Sequence, residues 1–194
     1  MSRENKRTTG INGLDLVLEG GFPVGTTILV TGIPLSGVDH MARQFWQSEG
    51  EEGTYVMFDA EVEPGMISGA GLTPDDIIPL LKGKRLVIDS ISTVILQHGV
   101  DAGVNLLLRA RDLVLSENAN IMFVHYPDVL PQTAELKLVR SADVVIELKE
   151  VIFMNEIERQ LAVHKLKGMA VPRRLIPFLI NEKGIELSTT SRVV

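Results

Sequence analysis

The chain has 194 residues, no cysteine, and 25 acidic against 19 basic side chains, for a formal net charge of −6. That length suits one domain, residues 1–194, able to bury roughly 70% of its unfolded surface in a single core without staples. The missing cysteines exclude disulfides, thiolate chemistry and Cys-ligated zinc, and the acidic balance disfavours a surface built for sequence-independent nucleic-acid binding.

In chain order, the polar start Met1–Arg7 lacks the apolar segment of a secretory signal, and no apolar run reaches the length of a membrane span, so a cytoplasmic protein is expected. The positive mean hydropathy of +0.19 points to strands buried on both faces. Thr26–Val30 is a short β-branched and apolar run between Gly25 and Gly32, the composition of a buried strand. After it comes Thr31-Gly32-Ile33-Pro34-Leu35-Ser36-Gly37-Val38-Asp39, then residues 38–48, which contain no Gly or Pro and set Met41, Phe45 and Ser48 along one helical face. Gly53–Phe58 reads as a second strand ending in the acidic run Asp59–Glu63. Residues 64–83 are broken by Pro and Gly, with room for a short helix from Thr73 to Leu81 capped by Thr73. Lys84–Ser90 is a third strand, Ala102–Glu117 an amphipathic helix with Leu106, Ala110, Leu113 and Val114 on one face, Ile121–His125 a fourth strand and Asp143–Leu148 a fifth. Three closely spaced strands follow, Arg159–Lys165, Arg174–Ile180 and Ile185–Leu187, with Asn181–Gly184 as a hairpin turn. Strands alternating with helices predict an α/β fold with a mainly parallel sheet flanked by helices and an antiparallel C-terminal extension.

In such sheets ligands bind beyond the carboxyl ends of the strands. The glycine loop, Glu61, Asp89 and His125 all fall at or just after strand ends. Strand, glycine loop and helix in succession is the context of a phosphate-binding loop, G-x-x-x-x-G-K-[ST], whose amides cradle phosphates while its Lys reaches them and its hydroxyl holds Mg²⁺. Gly32 and Gly37 have the required spacing, but Val38 and Asp39 replace the cation and the hydroxyl.

Thr9-Gly10-Ile11-Asn12-Gly13-Leu14-Asp15 and Leu18-Glu19-Gly20-Gly21-Phe22-Pro23-Val24-Gly25, together with this loop, resemble the entry signature of the RecA-like P-loop ATPases, in particular the KaiC and RadA branch. The resemblance runs from Gly10 to Leu187 and implies a RecA-type core. By that likeness Gly32, Ser36, Gly37, Val38, Asp39 and Asp89 mark the nucleotide-binding position, and Asp89, after Leu86-Val87-Ile88, matches the Walker B aspartate that assists Mg²⁺. Glu61 in Asp59-Ala60-Glu61 resembles the water-activating glutamate of RecA, with a plain surface carboxylate as the other reading. Lys165-Leu166-Lys167-Gly168 is similar to an element that KaiC-like proteins project onto a neighbour's nucleotide, so Lys165 and Lys167 are candidate trans-acting cations; a solvated pair is the alternative. His125 stands where the family has a polar sensor, or serves as a structural strand-end histidine.

Three departures lie within the loop. Leu35 adds a Cβ where backbone must approach phosphate, and Val38 with Asp39 changes the local charge by two units. A carboxylate about 4 Å from a phosphate oxygen costs on the order of 4 kcal/mol at an effective dielectric of 20, roughly a thousandfold in affinity. Asp39, in the first turn of its helix, is also placed to accept the loop amides itself as an internal anion. The expectation is therefore a degenerate Walker A motif and a subunit deficient in hydrolysis. It would act as an oligomeric structural or regulatory protein, by itself or beside an active paralogue, with ATP and Mg²⁺ doubtful as cofactors. Two other readings stand: an active ATPase in which another cation substitutes for the lysine, and a RadA-paralogue-like nucleic-acid accessory factor using residues 127–142 or the basic residues Arg3, Lys6, Arg7, Arg173 and Arg174. Four histidines and no cysteine give no ordinary zinc spacing.

Overall fold

A computed structural model describes residues 6–48 and 50–188. Arg3 lies outside the described residues. The strands are β1 (Lys6–Arg7), β2 (Phe22–Pro23), β3 (Thr27–Thr31), β4 (Tyr55–Met57), β5 (Ile67–Ser68), β6 (Arg85–Asp89), β7 (Asn120–His125), β8 (Val144–Phe153), β9 (Glu156–Leu166), β10 (Ile176–Asn181) and β11 (Gly184–Leu187). The helices are α1 (Leu14–Val17), α2 (Val38–Gln47), α3 (Pro74–Leu80), α4 (Ile91–His98), α5 (Val100–Glu117) and α6 (Gln132–Ser141).

Nine strands form one sheet in the order β11-β10-β9-β8-β3-β7-β6-β4-β5. From β8 to β5 neighbouring strands run parallel, whereas β8, β9, β10 and β11 pair antiparallel, as the strand pattern predicts. Alternation along each strand divides the core. Ile28 and Val30 of β3 face Val38, Met41 and Phe45 of α2, while Leu29 between them joins Leu106, Ala110 and Val114 of α5 on the other face. Burying both faces explains why the strands read as near-continuous apolar runs.

Local chemistry sets the ends of these elements. Thr73 precedes α3, and Asp76 accepts from the Thr73 amide at 2.9 Å and from its hydroxyl at 2.6 Å, closing a capping box. The turn Asn181–Gly184 is a tight hairpin, with Gly184 at φ +104°. Several details differ from expectation, among them that helix α4 follows β6 directly and that β8 runs on to Phe153. In α5 the buried face is Leu106, Leu107, Ala110 and Val114, with Leu113 only half-buried. β10 begins at Ile176, so Arg173 and Arg174 sit in the preceding loop. Residues 127–142, read as a connecting segment, contain helix α6, which packs Ala134 and Leu138 onto the sheet.

Candidate nucleotide-site edge

The carboxyl ends of β3, β4, β6 and β7 meet at one edge, and the loop after β3 occupies its centre. Residues Pro34–Ser36 wind into a 3-10 turn, and Gly37, at φ +99°, begins α2 in a left-handed conformation that a side chain would strain. The loop is closed on itself. The Ser36 amide donates to the Ile33 carbonyl at 2.9 Å and the fully buried Ser36 hydroxyl donates to the same oxygen at 2.7 Å. The Gly32 amide donates to the His125 carbonyl at 3.3 Å. A Cβ on Gly32 would lie 2.3 Å from Ser36 Oγ, 2.6 Å from the Leu148 carbonyl and 3.0 Å from a Val38 methyl, so the space around Gly32 is filled by the chain's own atoms.

Val38, where a P-loop has its lysine, is fully buried in the core on the α2 face. Among the described residues Asp39 accepts no loop amide, which corrects the internal-anion expectation. Its half-buried carboxylate instead lies near Asp89 and Tyr126, raising the proton affinity of both. The amides that it would have accepted at Gly32 and Ser36 already donate to carbonyls.

Asp89, at the end of β6, is 2% exposed. Tyr55 donates to its Oδ2 at 2.6 Å and Tyr126 to its Oδ1 at 3.5 Å, so the chain's two tyrosines converge on one carboxylate. Burial pushes the Asp89 carboxyl up to about 6, against the Tyr55 hydrogen bond, with Asp59 and Asp39 adding to the rise. Both tyrosine hydroxyls are driven well above their ordinary value, chiefly by burial and then by the Asp89 charge. Asp59 is held in turn by the hydroxyls of Ser90 and Thr93 at the start of α4. Tyr55, Tyr126 and Asp59 are the partners that sequence reasoning missed. Proximity across three strands leaves no signal in a linear pattern.

Glu61 lies in the exposed loop beyond β4. Arg43 of α2 pairs with Glu63 at 3.1 Å. It is also the cation that favours the ionised form of Asp89. His125 is structural in its contacts: buried, it shares a 2.8 Å hydrogen bond between Nδ1 and Ser92 Oγ, with Glu135 3.8 Å from Nε2, and burial lowers its proton affinity.

Lys165 and Lys167 are elsewhere. β9 runs antiparallel to β8 and ends where Leu166 faces Val144, at the amino-terminal edge of the sheet. Lys165 donates to the carbonyls of Arg140, at 3.0 Å, and Ala142, at the end of α6. Lys167 pairs at 2.8 Å with Asp143, whose other oxygen accepts from the Thr27 amide and hydroxyl. Of the basic residues at the start of the chain, Lys6 donates to the Leu18 carbonyl at 2.7 Å, and Arg7 is buried against Glu51 and Asn120. They form no exposed stripe.

Among the described residues no group of three or more His, Asp or Glu is placed to hold a metal ion, and no helix is long and apolar enough to cross a membrane. The lysine position is apolar and two loop amides are already bonded.

A parallel sheet with a glycine loop between its central strand and α2, an aspartate at the end of the next strand but one, and an antiparallel C-terminal extension defines a RecA-like ATPase domain. The match to the family described as ATPase: KaiC spans residues 7–68 and 74–192, and the chain belongs to that family. It is similar to UPF0273 proteins of Pyrococcus horikoshii, at 25% identity, and Aeropyrum pernix, at 26%, with 91% of this chain and 91% of each relative aligned. The circadian clock oscillator protein KaiC of Parathermosynechococcus lividus is 24% identical over 94% of this chain, which corresponds to 42% of that longer protein. Among solved structures, a KaiC-like protein of Pyrococcus horikoshii superposes with a TM-score of 0.80 at 22% identity, covering 94% of this chain and 98% of the other.

Proposed function

We propose that this KaiC-family chain is deficient in ATP hydrolysis and acts as an oligomeric structural or regulatory subunit, by itself or beside an active paralogue. The observation that carries this reading is Val38. A lysine at that position must reach outer phosphates, whereas Val38 is fully buried in the core beneath a loop already bonded to itself. Asp89 supports it further, because both of its oxygens accept from tyrosines rather than standing open to a hydrated cation.

Calorimetric titration with ATP and Mg²⁺, paired with sizing in solution, tests it. The expected result is no binding tighter than about 1 mM, near −4 kcal/mol, together with an assembled particle. Binding at about 10 μM or tighter, or turnover of ATP, overturns the reading in favour of a working ATPase with a non-standard loop.

A further inference from the structure

Asn12 and Gly13 form the turn that leads into α1, and no other asparagine of the chain is followed by glycine. The Leu14 amide donates to the Ile11 carbonyl at 3.1 Å, and Gly13 sits at φ +86° and ψ −25°, the glycine position of a type II turn. The central amide of such a turn points away from the closing bond. Here that amide belongs to Gly13, and among the described residues it donates to no acceptor. Asn12 itself is exposed.

The turn also fastens the end of the sheet. β11 is an outermost strand, and beside the hold of Gln44 on Ile185 it is tied by two bonds to Asn12. The Asn12 carbonyl accepts the Leu187 amide at 3.1 Å, and Asn12 Nδ2 donates to Glu186 Oε1 at 2.9 Å. The other Glu186 oxygen accepts from Asn181 Nδ2 at 3.2 Å, so one carboxylate is bracketed by two amide donors.

We propose that Asn12-Gly13 is a site of spontaneous, irreversible deamidation that loosens β11 from the body of the fold. The Asn12 side chain leaves Glu186, an exposed bond, and the peptide rotates, which a glycine without a Cβ permits. The Gly13 nitrogen, giving up its proton, attacks Asn12 Cγ; the new C–N bond closes a five-membered imide, the Cγ–Nδ2 bond breaks, and nitrogen leaves as ammonia carrying that proton. Water then opens the imide. Cleavage of the new bond gives aspartate, and cleavage of the original backbone C–N bond gives isoaspartate. In the first product a carboxylate replaces the donor that stood 2.9 Å from Glu186, setting two like charges against each other. In the second the backbone lengthens by one methylene carbon, and the carbonyl that Leu187 used becomes a pendant carboxylate. Each product removes a tie that β11 has to Asn12.

Prolonged incubation of the full chain in mildly alkaline buffer, followed by peptide mapping with mass spectrometry, tests the site. The mass shift from amide to acid is expected in the peptide that holds Asn12-Gly13, with an isoaspartyl fraction that an isoaspartyl methyltransferase labels. Asn12→Gln, whose longer side chain cannot close the five-membered ring, should show neither. A folded chain that keeps its Asn12 amide, whatever the same chain does in denaturant, overturns the site, as does loss that falls first on another asparagine. Hydrogen exchange reads the structural consequence. In Asn12→Asp, with folding checked by far-UV circular dichroism, the Leu187 amide should exchange roughly tenfold faster or more, and adding Glu186→Gln should bring most of that protection back. Protection that Asn12→Asp leaves unchanged overturns the loosening of β11, and if that variant misfolds, the incubated wild type carries the same comparison.

Discussion

Tyr55 of β4 donates its hydroxyl to Oδ2 of Asp89 of β6, 2.6 Å away, across two directly paired strands. The bond stabilises a carboxylate that burial would otherwise neutralise. The Asp89 pKa rises from an ordinary 3.8 to about 6, so its folded state holds the proton more tightly than the unfolded chain does. Stability from that proton is fully present below pH 3.8 and is lost as pH rises through about 6. Asp89→Asn, which keeps an acceptor and removes the charge, should therefore stabilise the protein by about 1–3 kcal/mol at pH 7 relative to its effect at pH 4. Urea titrations at both pH values check this; a variant that loses more stability at pH 7 than at pH 4 contradicts it.

Glu51 has the opposite sign. The Arg7 hydrogen bond holds its carboxyl below the ordinary value, helped by the Arg7 and Arg85 charges, so it contributes stability at neutral pH that disappears on acidification. Glu51→Gln should lower the melting temperature at pH 7 and have little effect once pH falls well below 4.5, the ordinary value for a glutamate. Thermal melts of both proteins across that range provide the check, and an equal loss at all pH values would show that the ion cluster does not matter.

Lys165 and Lys167 should behave as structural residues. Lys165→Ala leaves the last carbonyls of α6 without their cation and should cost about 1 kcal/mol. Lys167→Ala leaves the buried Asp143 without a counter-ion and should cost about 1–2 kcal/mol, moderated by the exposure of the lysine itself. Chemical denaturation reads both. Unchanged stability with altered assembly would return these lysines to an intersubunit role.

Val38→Lys should destabilise by more than about 2 kcal/mol, because it sets a charge among Met41, Phe45 and the β3 side chains. Asp39→Thr, at a half-buried position without hydrogen bonds among the described residues, should stay within about 0.5 kcal/mol. Urea midpoints of the two single variants decide the matter. A stable Val38→Lys protein would mean that the side chain finds a way out of the core into the loop.

Much of the fold was legible because strands buried on both faces leave apolar runs, such as Ile28-Leu29-Val30, bounded by glycines that end them. The helices that escaped have particular reasons. α4 follows β6 after a single residue, so its apolar positions merge with the strand's; the one signal was Ser90, whose hydroxyl accepts the Thr93 amide at 3.2 Å as an N-cap. α6 was hidden behind Pro127 and Pro131, although Pro131 stands just outside its first turn and Ala134 and Leu138 repeat at helical spacing. At the site, the loop and Asp89 could be found by order along the chain. The tyrosines on Asp89 could not, and the partners of Lys165 and Lys167 follow from the antiparallel register of β9, which no local motif encodes.

The β8–β9 hairpin reaches beyond the strands that flank it. β3 pairs with β8 only from Val144 to Glu147, and β10 pairs with β9 only from Arg159 to Leu161. Among the described residues, the backbone ladder of Val151–Glu158 therefore pairs these residues with each other and with no third strand. A two-stranded ribbon twists more strongly than a strand held on both sides. Its root is clamped in the sheet, and Ile157 of the ribbon lines with Leu35 one cavity of about 460 Å³, so the twist at the base of the ribbon sets where that wall stands.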